Sequence, residues 1–130
     1  MVQSTALRAG IGVAGSKPTE PPIDMVHLGR QTFDDDGLAL EVLRLFDSSI
    51  SAQYDRLETS TTIADLLKHL HGIKGAASGI GAWALSSLAR RAEAELMAGE
   101  PVNPERIDEI GIAVEEVRGY IADLVASQPE

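Results

Sequence analysis

The most constraining feature of the sequence is a regular spacing of apolar residues near its carboxyl end. Alternating steps of three and four residues separate Ile107, Ile110, Val114, Val117, Ile121 and Leu124. On a helix this spacing places all of these side chains on one face. A narrow apolar seam of this kind is expected where helices pack nearly antiparallel in a bundle. The pattern therefore predicts a long carboxyl-terminal helix that belongs to a helical bundle.

Three upstream stretches show the same helical periodicity. The first predicted stripe consists of Leu38, Val42, Leu45, Phe46, Ile50, Tyr54 and Leu57. The second consists of Ile63, Leu66, Leu67, Leu70, Ile73, Ala77 and Ile80. The third consists of Leu85, Leu88, Ala89, Ala92 and Leu96. A short helical lid is predicted before them, through Ile23, Met25, Val26 and Leu28. We expect an all-α fold, an antiparallel up-down four-helix bundle with a short additional N-terminal helix.

Capping and breaking residues mark the predicted boundaries of these helices. Residues 34–36 are three aspartates, which are favourable at the positive end of a helix dipole. Residues 60–62 supply hydroxyls that can cap the next helix, and Gly79 and Gly81 bracket its end. Asn103 followed by Pro104 is a good N-cap and first-turn pair for the last helix.

Residues 1–22 differ from the rest of the chain. They contain Gly, Pro, Ser and Thr without a sustained hydrophobic period and end in a Pro21–Pro22 pair that resists helix formation. We therefore expect a flexible leader over residues 1–22 and one folded domain over residues 23–127. A chain of 130 residues suits a single core.

Composition excludes several classes of function. The formal net charge is -9 with scattered basic residues, which argues against nucleic-acid binding. The chain has no cysteine, so it has neither a disulfide framework nor a thiolate metal site. No apolar run reaches the roughly 20 residues that a membrane span needs. We expect a cytoplasmic monomer without a metal or other cofactor.

His71 is the candidate reactive residue. At about 100° per residue it lies roughly 100° from Leu70, at the edge of the apolar stripe, so its imidazole can reach water. Neutral imidazole is a competent nucleophile toward phosphorus, and Lys74, one turn later, can offset the charge of a phosphoryl group. Glycine costs about 1 kcal/mol inside a helix. Close approach of a partner would explain the glycines near His71, and the expected docking surface consists of Gly72, Gly75 and Ser78.

The stretch His71-Gly72-Ile73-Lys74-Gly75-Ala76-Ala77-Ser78-Gly79-Ile80-Gly81-Ala82 resembles the signature of histidine-containing phosphotransfer (HPt) domains. In that signature the phosphorylated histidine is followed by a hydrophobic residue, Lys, Gly, small residues and a second Gly. The resemblance implies that His71 is the phosphoacceptor at its Nε2 atom. It also implies that Lys74 stabilises charge and that Gly75 admits a receiver domain. One departure from the signature is that the family often has alanine directly before the phosphorylated histidine, whereas this chain has the sequence His69-Leu70-His71.

The resemblance implies a carrier in a multistep phosphorelay. His71 would accept a phosphoryl group from a receiver-domain aspartyl phosphate and pass it to another receiver domain. The implied partners are receiver domains of response regulators or hybrid histidine kinases, which would supply the metal ion and most of the catalytic groups. The chain would be neither an autokinase nor an ATP-binding protein, because it has no nucleotide-binding glycine loop. The alternative is a docking module for receivers or another helical partner that is not itself phosphorylated.

His69 is the other candidate acceptor. It falls on the opposite border of the stripe from His71 and lacks a lysine three residues later and a glycine four residues later, so His71 is preferred. A metal site shared by the two histidines is disfavoured because residues two apart on a helix diverge by about 200°. We interpret His27 and His69 as structural or solvent residues and Trp83 as a plug at the end of the bundle.

Overall fold

Five helices account for most of residues 20–128, which are the residues that the structure, a computed structural model, describes. They are α1 (Met25–Gln31), α2 (Asp36–Glu58), α3 (Ile63–Ile80), α4 (Trp83–Met97) and α5 (Pro104–Ala126). No strand occurs between residues 20 and 128, which confirms the all-α prediction. Residues 1–19 of the predicted leader lie outside the described residues. In the described part, no helix is both long and apolar enough to cross a membrane.

The four long helices form an antiparallel ring around one core. α3 packs against α2 and α4, and α5 packs against the same two helices from the other side. Contacts between α3 and α4 show the direction: Ser78 meets Ser86, whereas Lys74, earlier in α3, meets Glu93, later in α4. Short connections thus produce the predicted up-down order.

Side chains from all five helices and from Ile23, just before α1, fill the core. The largest fully buried apolar residues are Ile23, Leu28, Leu43, Ile50, Leu57, Leu70, Ile73, Leu85, Ile110 and Val114. Burial of a side chain of this size stabilises the fold by about 1.5–3 kcal/mol. The seam predicted for α5 is confirmed, because Ile110, Val114, Val117 and Ile121 are buried and Ile107 and Leu124 pack against the core.

The stripe predicted for α2 is wrong at two positions. Leu45 is 72% exposed and Leu38 is 36% exposed, whereas Leu43, absent from the predicted stripe, is 1% exposed. The sequence from Val42 to Phe46 has apolar residues on both sides of Arg44, so the periodicity fits more than one face. In α3, Ile63 is also exposed, because it is the first residue of the helix and lies at the end of the bundle.

The helix ends use the predicted caps. The Thr62 hydroxyl accepts a hydrogen bond from the Asp65 amide, and the Asn103 side chain accepts from the amides of Glu105 and Arg106. α3 ends at Gly81, whose φ of 85° is left-handed. A Cβ at Gly81 would also lie 3.0 Å from the backbone oxygen of Asp24, so this turn needs glycine twice over.

α1 closes the end of the bundle at which α3 turns into α4. The Asp24 amide donates to the Gly81 carbonyl at 2.9 Å, and the Trp83 indole donates to the Asp24 carboxylate at 3.0 Å. The His27 and Trp83 rings meet edge to face, with centroids 4.8 Å apart. These contacts place α1 as a lid and Trp83 at the bundle end.

Candidate functional site

Close packing of α3 against α4 builds the surface around His71. The two helices are joined by a tight turn through Gly81 and Ala82, and small buried residues, Ala77 and Ala89, lie between them. The Ser78 and Ser86 hydroxyls are 2.6 Å apart, and Ser86 also donates to the Lys74 carbonyl at 3.3 Å. These contacts fix the register in which α4 presents its side chains to α3.

His71, Lys74 and Glu93 form a three-residue network across these two helices. Glu93 Oε2 lies 3.2 Å from His71 Nδ1, and Glu93 Oε1 lies 2.8 Å from Lys74 Nζ. The His71 side chain is 71% exposed, whereas Glu93 is 13% exposed. One nearly buried carboxylate therefore contacts both residues that the sequence motif singles out.

The Glu93 carboxylate is held in its charged form. The hydrogen bond from Lys74 lowers its pKa, burial opposes this effect, and the hydrogen bond from His71 lowers it further. Because an ionised carboxylate only accepts hydrogen bonds, Nδ1 of His71 must be the protonated ring nitrogen. In a neutral imidazole the other nitrogen, Nε2, then carries the lone pair. The network therefore leaves a lone pair on Nε2 of an imidazole whose side chain is 71% exposed.

Lys74 occupies the flank that the helical wheel assigns to it. Its side chain is 29% exposed and its ammonium contacts Glu93. The lysine charge is therefore paired in this structure and lies beside the imidazole.

Glu93 is a residue of the candidate site that the sequence analysis missed. It lies in a charge-rich stretch of α4, Arg90-Arg91-Ala92-Glu93-Ala94-Glu95, that resembles an ordinary solvated helix face. Only the antiparallel register of α3 and α4 distinguishes it from its neighbours, since Glu95 turns instead to Arg106 of α5. The tight turn after α3 was the one signal from which that register could have been counted.

The three residues predicted to receive a partner have different environments. Gly75 is exposed, and a Cβ added there would meet no atom within 4 Å. A Cβ at Gly72 would lie 2.6 Å from Gln53 Nε2, so the side chain of Gln53 occupies the space over this glycine. Ser78 is half-buried, and its hydroxyl is hydrogen-bonded to that of Ser86. Gly75 is thus the one of the three that leaves open space beside His71.

His69 lies on the other flank of α3 and contacts α2 instead of α4. Its Nδ1 atom is 3.2 Å from Gln53 Nε2, and its backbone oxygen is 3.4 Å from the same nitrogen. The two histidines therefore do not converge. Among residues 20–128, no group of three or more His, Cys, Asp or Glu side chains is arranged to hold a metal ion.

Comparisons with known proteins bear on the fold and the family of this chain. Residues 41–123 match the family model described as Hpt domain, which is more than half of the chain. A search of curated proteins finds no match. The fold is similar to the crystal structure of the HPT domain from the Hpt sensor hybrid histidine kinase from Shewanella, with a TM-score of 0.72 and 19% identity. That alignment covers 84% of this chain and 97% of the Shewanella domain. The match over α2 to α5 assigns this chain to the Hpt domain family.

Proposed function

We propose that this chain is a phosphorelay intermediate that accepts a phosphoryl group on Nε2 of His71. The donor is the aspartyl phosphate of one receiver domain, and the acceptor of the next step is the aspartate of another. Hpt domains in general take part in histidine phosphotransfer in phosphorelays, and the membership of this chain in the Hpt family supports the proposal. Transfer from one receiver domain to another and the role of each residue go beyond what membership of the family implies.

The observation that carries the proposal is the contact between Glu93 Oε2 and His71 Nδ1 at 3.2 Å on a side chain that is 71% exposed. A carboxylate that accepts from Nδ1 fixes the tautomer with a lone pair on Nε2, the pattern found where histidines act as nucleophiles or bases. Exposure lets the phosphorylated aspartate of another domain reach that nitrogen.

The transfer is balanced without any further reactant. The lone pair of His71 Nε2 forms a new N–P bond while the P–O bond to the donor aspartate breaks, and the aspartate leaves as a carboxylate. Nδ1 keeps its proton, so the ring gains positive charge, which the Glu93 carboxylate offsets. In the second step a carboxylate oxygen of the next receiver attacks phosphorus, and the N–P electron pair returns to Nε2.

Lys74 has a partner in each state. Before transfer its ammonium pairs with Glu93 Oε1 at 2.8 Å. After transfer the phosphoryl group brings about two negative charges to the neighbouring ring. The lysine can then share its charge between the carboxylate and the phosphoryl oxygens, which reduces their mutual repulsion.

The proposed role is that of a carrier that supplies the nucleophile and its charge partners. The donor and acceptor receivers supply the metal ion and the aspartates. Gly75 and the exposed edge of α3 leave the space that a receiver needs above His71.

The test is transfer from a purified phosphorylated receiver domain to the full chain, followed by detection of acid-labile phosphate. Parent protein and His69→Ala are expected to become labelled, whereas His71→Ala is expected to remain unlabelled. A second receiver added after removal of the first is expected to discharge the label. Labelling that persists in His71→Ala would overturn the assignment, and a folded parent that binds receivers without becoming labelled would favour the docking module.

A further inference from the structure

The side chain of Gln53, which reaches from α2 to α3, lies beside a second imidazole two residues before His71. Gln53 Nε2 is 3.2 Å from His69 Nδ1 and 3.4 Å from the His69 backbone oxygen. Both Gln53 and His69 are half-buried. Contacts of one amide group with both a ring nitrogen and a carbonyl determine which way each group must point.

The backbone carbonyl fixes the orientation of the amide. A carbonyl oxygen can only accept, so the Gln53 atom next to it must be the NH₂ group rather than the amide oxygen. The same nitrogen lies 3.2 Å from His69 Nδ1, and because an amide NH₂ group only donates, Nδ1 must be the acceptor. A neutral His69 therefore carries its proton on Nε2, the opposite tautomer from that of His71.

This tautomer removes both routes of nucleophilic attack from His69. Its Nε2 atom is protonated and has no lone pair in the ring plane, while the lone pair of Nδ1 is engaged by Gln53. Gln53 is also uncharged, so it offers nothing to offset the positive charge that a ring gains on phosphorylation. Glu93 offers that compensation to His71.

Gly72 provides the space in which Gln53 makes these contacts. A Cβ at position 72 would lie 2.6 Å from Gln53 Nε2 and 3.3 Å from its carboxamide carbon. Glycine inside a helix costs about 1 kcal/mol relative to alanine, so its presence here calls for such a reason. A Cβ added at Gly75, three residues later, would have no atom within 4 Å, so Gly75 serves as the matched control.

We propose that Gln53, seated over Gly72, is a specificity-determining residue that locks His69 in the Nε2-protonated tautomer and so keeps it from competing with His71 for a phosphoryl group. The lock rests on the proposed function only for its biological purpose. The tautomer itself is a property of the folded chain and can be measured without a receiver.

The first experiment records long-range ¹H–¹⁵N spectra of the full chain labelled at histidine, at a pH where the imidazoles are neutral. In the parent we expect His69 as the Nε2-protonated and His71 as the Nδ1-protonated form. Gln53→Met, which keeps the length of the side chain but loses the donor, is expected to lower the tautomer ratio of His69 about fivefold, the factor represented by a hydrogen bond of about 1 kcal/mol. His71 is expected to keep its tautomer.

Two glycine variants test the space over the helix. Gly72→Ala is expected to displace the Gln53 amide and therefore to lower the tautomer ratio of His69, as Gln53→Met does. Gly75→Ala is expected to leave the tautomer ratio of His69 unchanged. An unchanged His69 tautomer in Gln53→Met would overturn the lock. Equal shifts in Gly72→Ala and Gly75→Ala would remove Gly72 from it.

The second experiment measures chemical reactivity with phosphoramidate, a small donor that needs no docking surface. In this reaction the ring lone pair forms an N–P bond as the P–N bond of the donor breaks and ammonia leaves. We expect His71 alone to be labelled in the parent and His69 to be labelled as well in Gln53→Met. Failure of His69 to react in a Gln53→Met chain whose tautomer has shifted would overturn the specificity role. If instead the receivers never label His71, the proposed function fails while the tautomer result still stands.

Discussion

The Glu93 carboxylate is shared between His71 and Lys74, the two residues to which we assign different tasks in the proposed phosphoryl transfer. It fixes the tautomer of His71 through one oxygen and pairs with Lys74 through the other. Removal of the carboxylate should therefore affect the reactivity of the ring more than the stability of the bundle. A single acidic side chain thus connects the proposed nucleophile to its proposed charge partner.

Glu93→Ala is expected to slow the phosphorylation of His71 by about tenfold, the factor that a charge-assisted hydrogen bond near the weak end of its range represents. Glu93→Gln is expected to be intermediate, because the amide oxygen can still accept from Nδ1 but carries no charge. Initial rates of labelling by one phosphorylated receiver measure the effect. Glu95→Ala is the control, since Glu95 pairs with Arg106 on the far side of α4. Equal rates for Glu93→Ala and the control would show that Glu93 has no part in the transfer.

Lys74→Ala should matter more to the phosphorylated chain than to the free one. Because the Lys74–Glu93 pair is partly exposed, its loss is expected to change the free energy of unfolding by no more than about 1 kcal/mol. We expect slower transfer or a shorter lifetime of phospho-His71, because the phosphoryl group loses the neighbouring cation that we assign to it. Decay of the label in the purified phosphorylated chain measures the lifetime. Unchanged transfer and decay would make Lys74 a structural partner of Glu93 only.

At the scale of single helices, α3 carries different constraints on its different faces. One flank meets α4 through Ser78 and Lys74, and the opposite flank meets α2 through His69 and Gly72. Between them Gly75 faces open space. Because Gly72 is covered by Gln53 and Gly75 is not, substitutions on α3 can test whether Gly75 serves the docking of a receiver or the packing of the bundle.

Substitution of Gly75 should separate stability from transfer. Gly75→Ala is expected to raise the free energy of unfolding by up to about 1 kcal/mol, since no neighbouring atom opposes the new Cβ. Gly75→Gln and Gly75→Leu should keep the helix but obstruct the approach of a receiver to His71. Melting temperature and transfer rate along this series provide the measurement. Bulky variants that unfold, with constant transfer per folded molecule, would identify Gly75 as a packing residue.

The positions of the helices could be predicted from the sequence more completely than the identity of their buried faces. Capping residues such as Thr62 and Asn103 act locally, so their role can be predicted without knowledge of the neighbours. The buried face of α2 could not be predicted in the same way. Leu43 and Leu45 are equally apolar, and only the positions of α3 and α5 decide which of them is buried. Local signals therefore set the boundaries, and tertiary packing sets the orientation.

At the scale of the whole molecule, the candidate site was half predictable. His71 and Lys74 lie on one helix, where a spacing of three residues determines their proximity. Glu93 and Gln53 reach α3 from α4 and α2, and their contribution depends on the register between helices. A single sequence does not contain that register explicitly. The contacts that determine the tautomers of His69 and His71 therefore become visible only in the three-dimensional structure.

Carboxylates also connect α4 to three neighbouring elements of the molecule. The Asp24 carboxylate before α1 accepts from Trp83, Glu93 accepts from α3, and Glu95 accepts from Arg106 of α5. The pKa of each carboxyl is lowered, in every case chiefly by the hydrogen bond from that partner. These three contacts between α4 and its neighbours therefore favour the ionised form of each carboxyl.

Acid should therefore weaken the bundle through these contacts. A carboxyl whose pKa is lower in the folded than in the unfolded chain stabilises the fold above its unfolded pKa, and this stabilisation is lost as the pH falls through the folded value. The ordinary values are 4.5 for Glu93 and Glu95 and 3.8 for Asp24, so the free energy of unfolding is expected to decline as the pH falls below about 4.5. Urea denaturation between pH 7 and pH 3 measures this decline.

A Glu93→Gln, Glu95→Gln double variant should show a shallower decline than the parent, whereas Glu116→Gln, which alters an exposed carboxylate of α5, should follow the parent. Parallel curves for the double variant and the parent would show that these two carboxylates do not control the acid sensitivity of the fold.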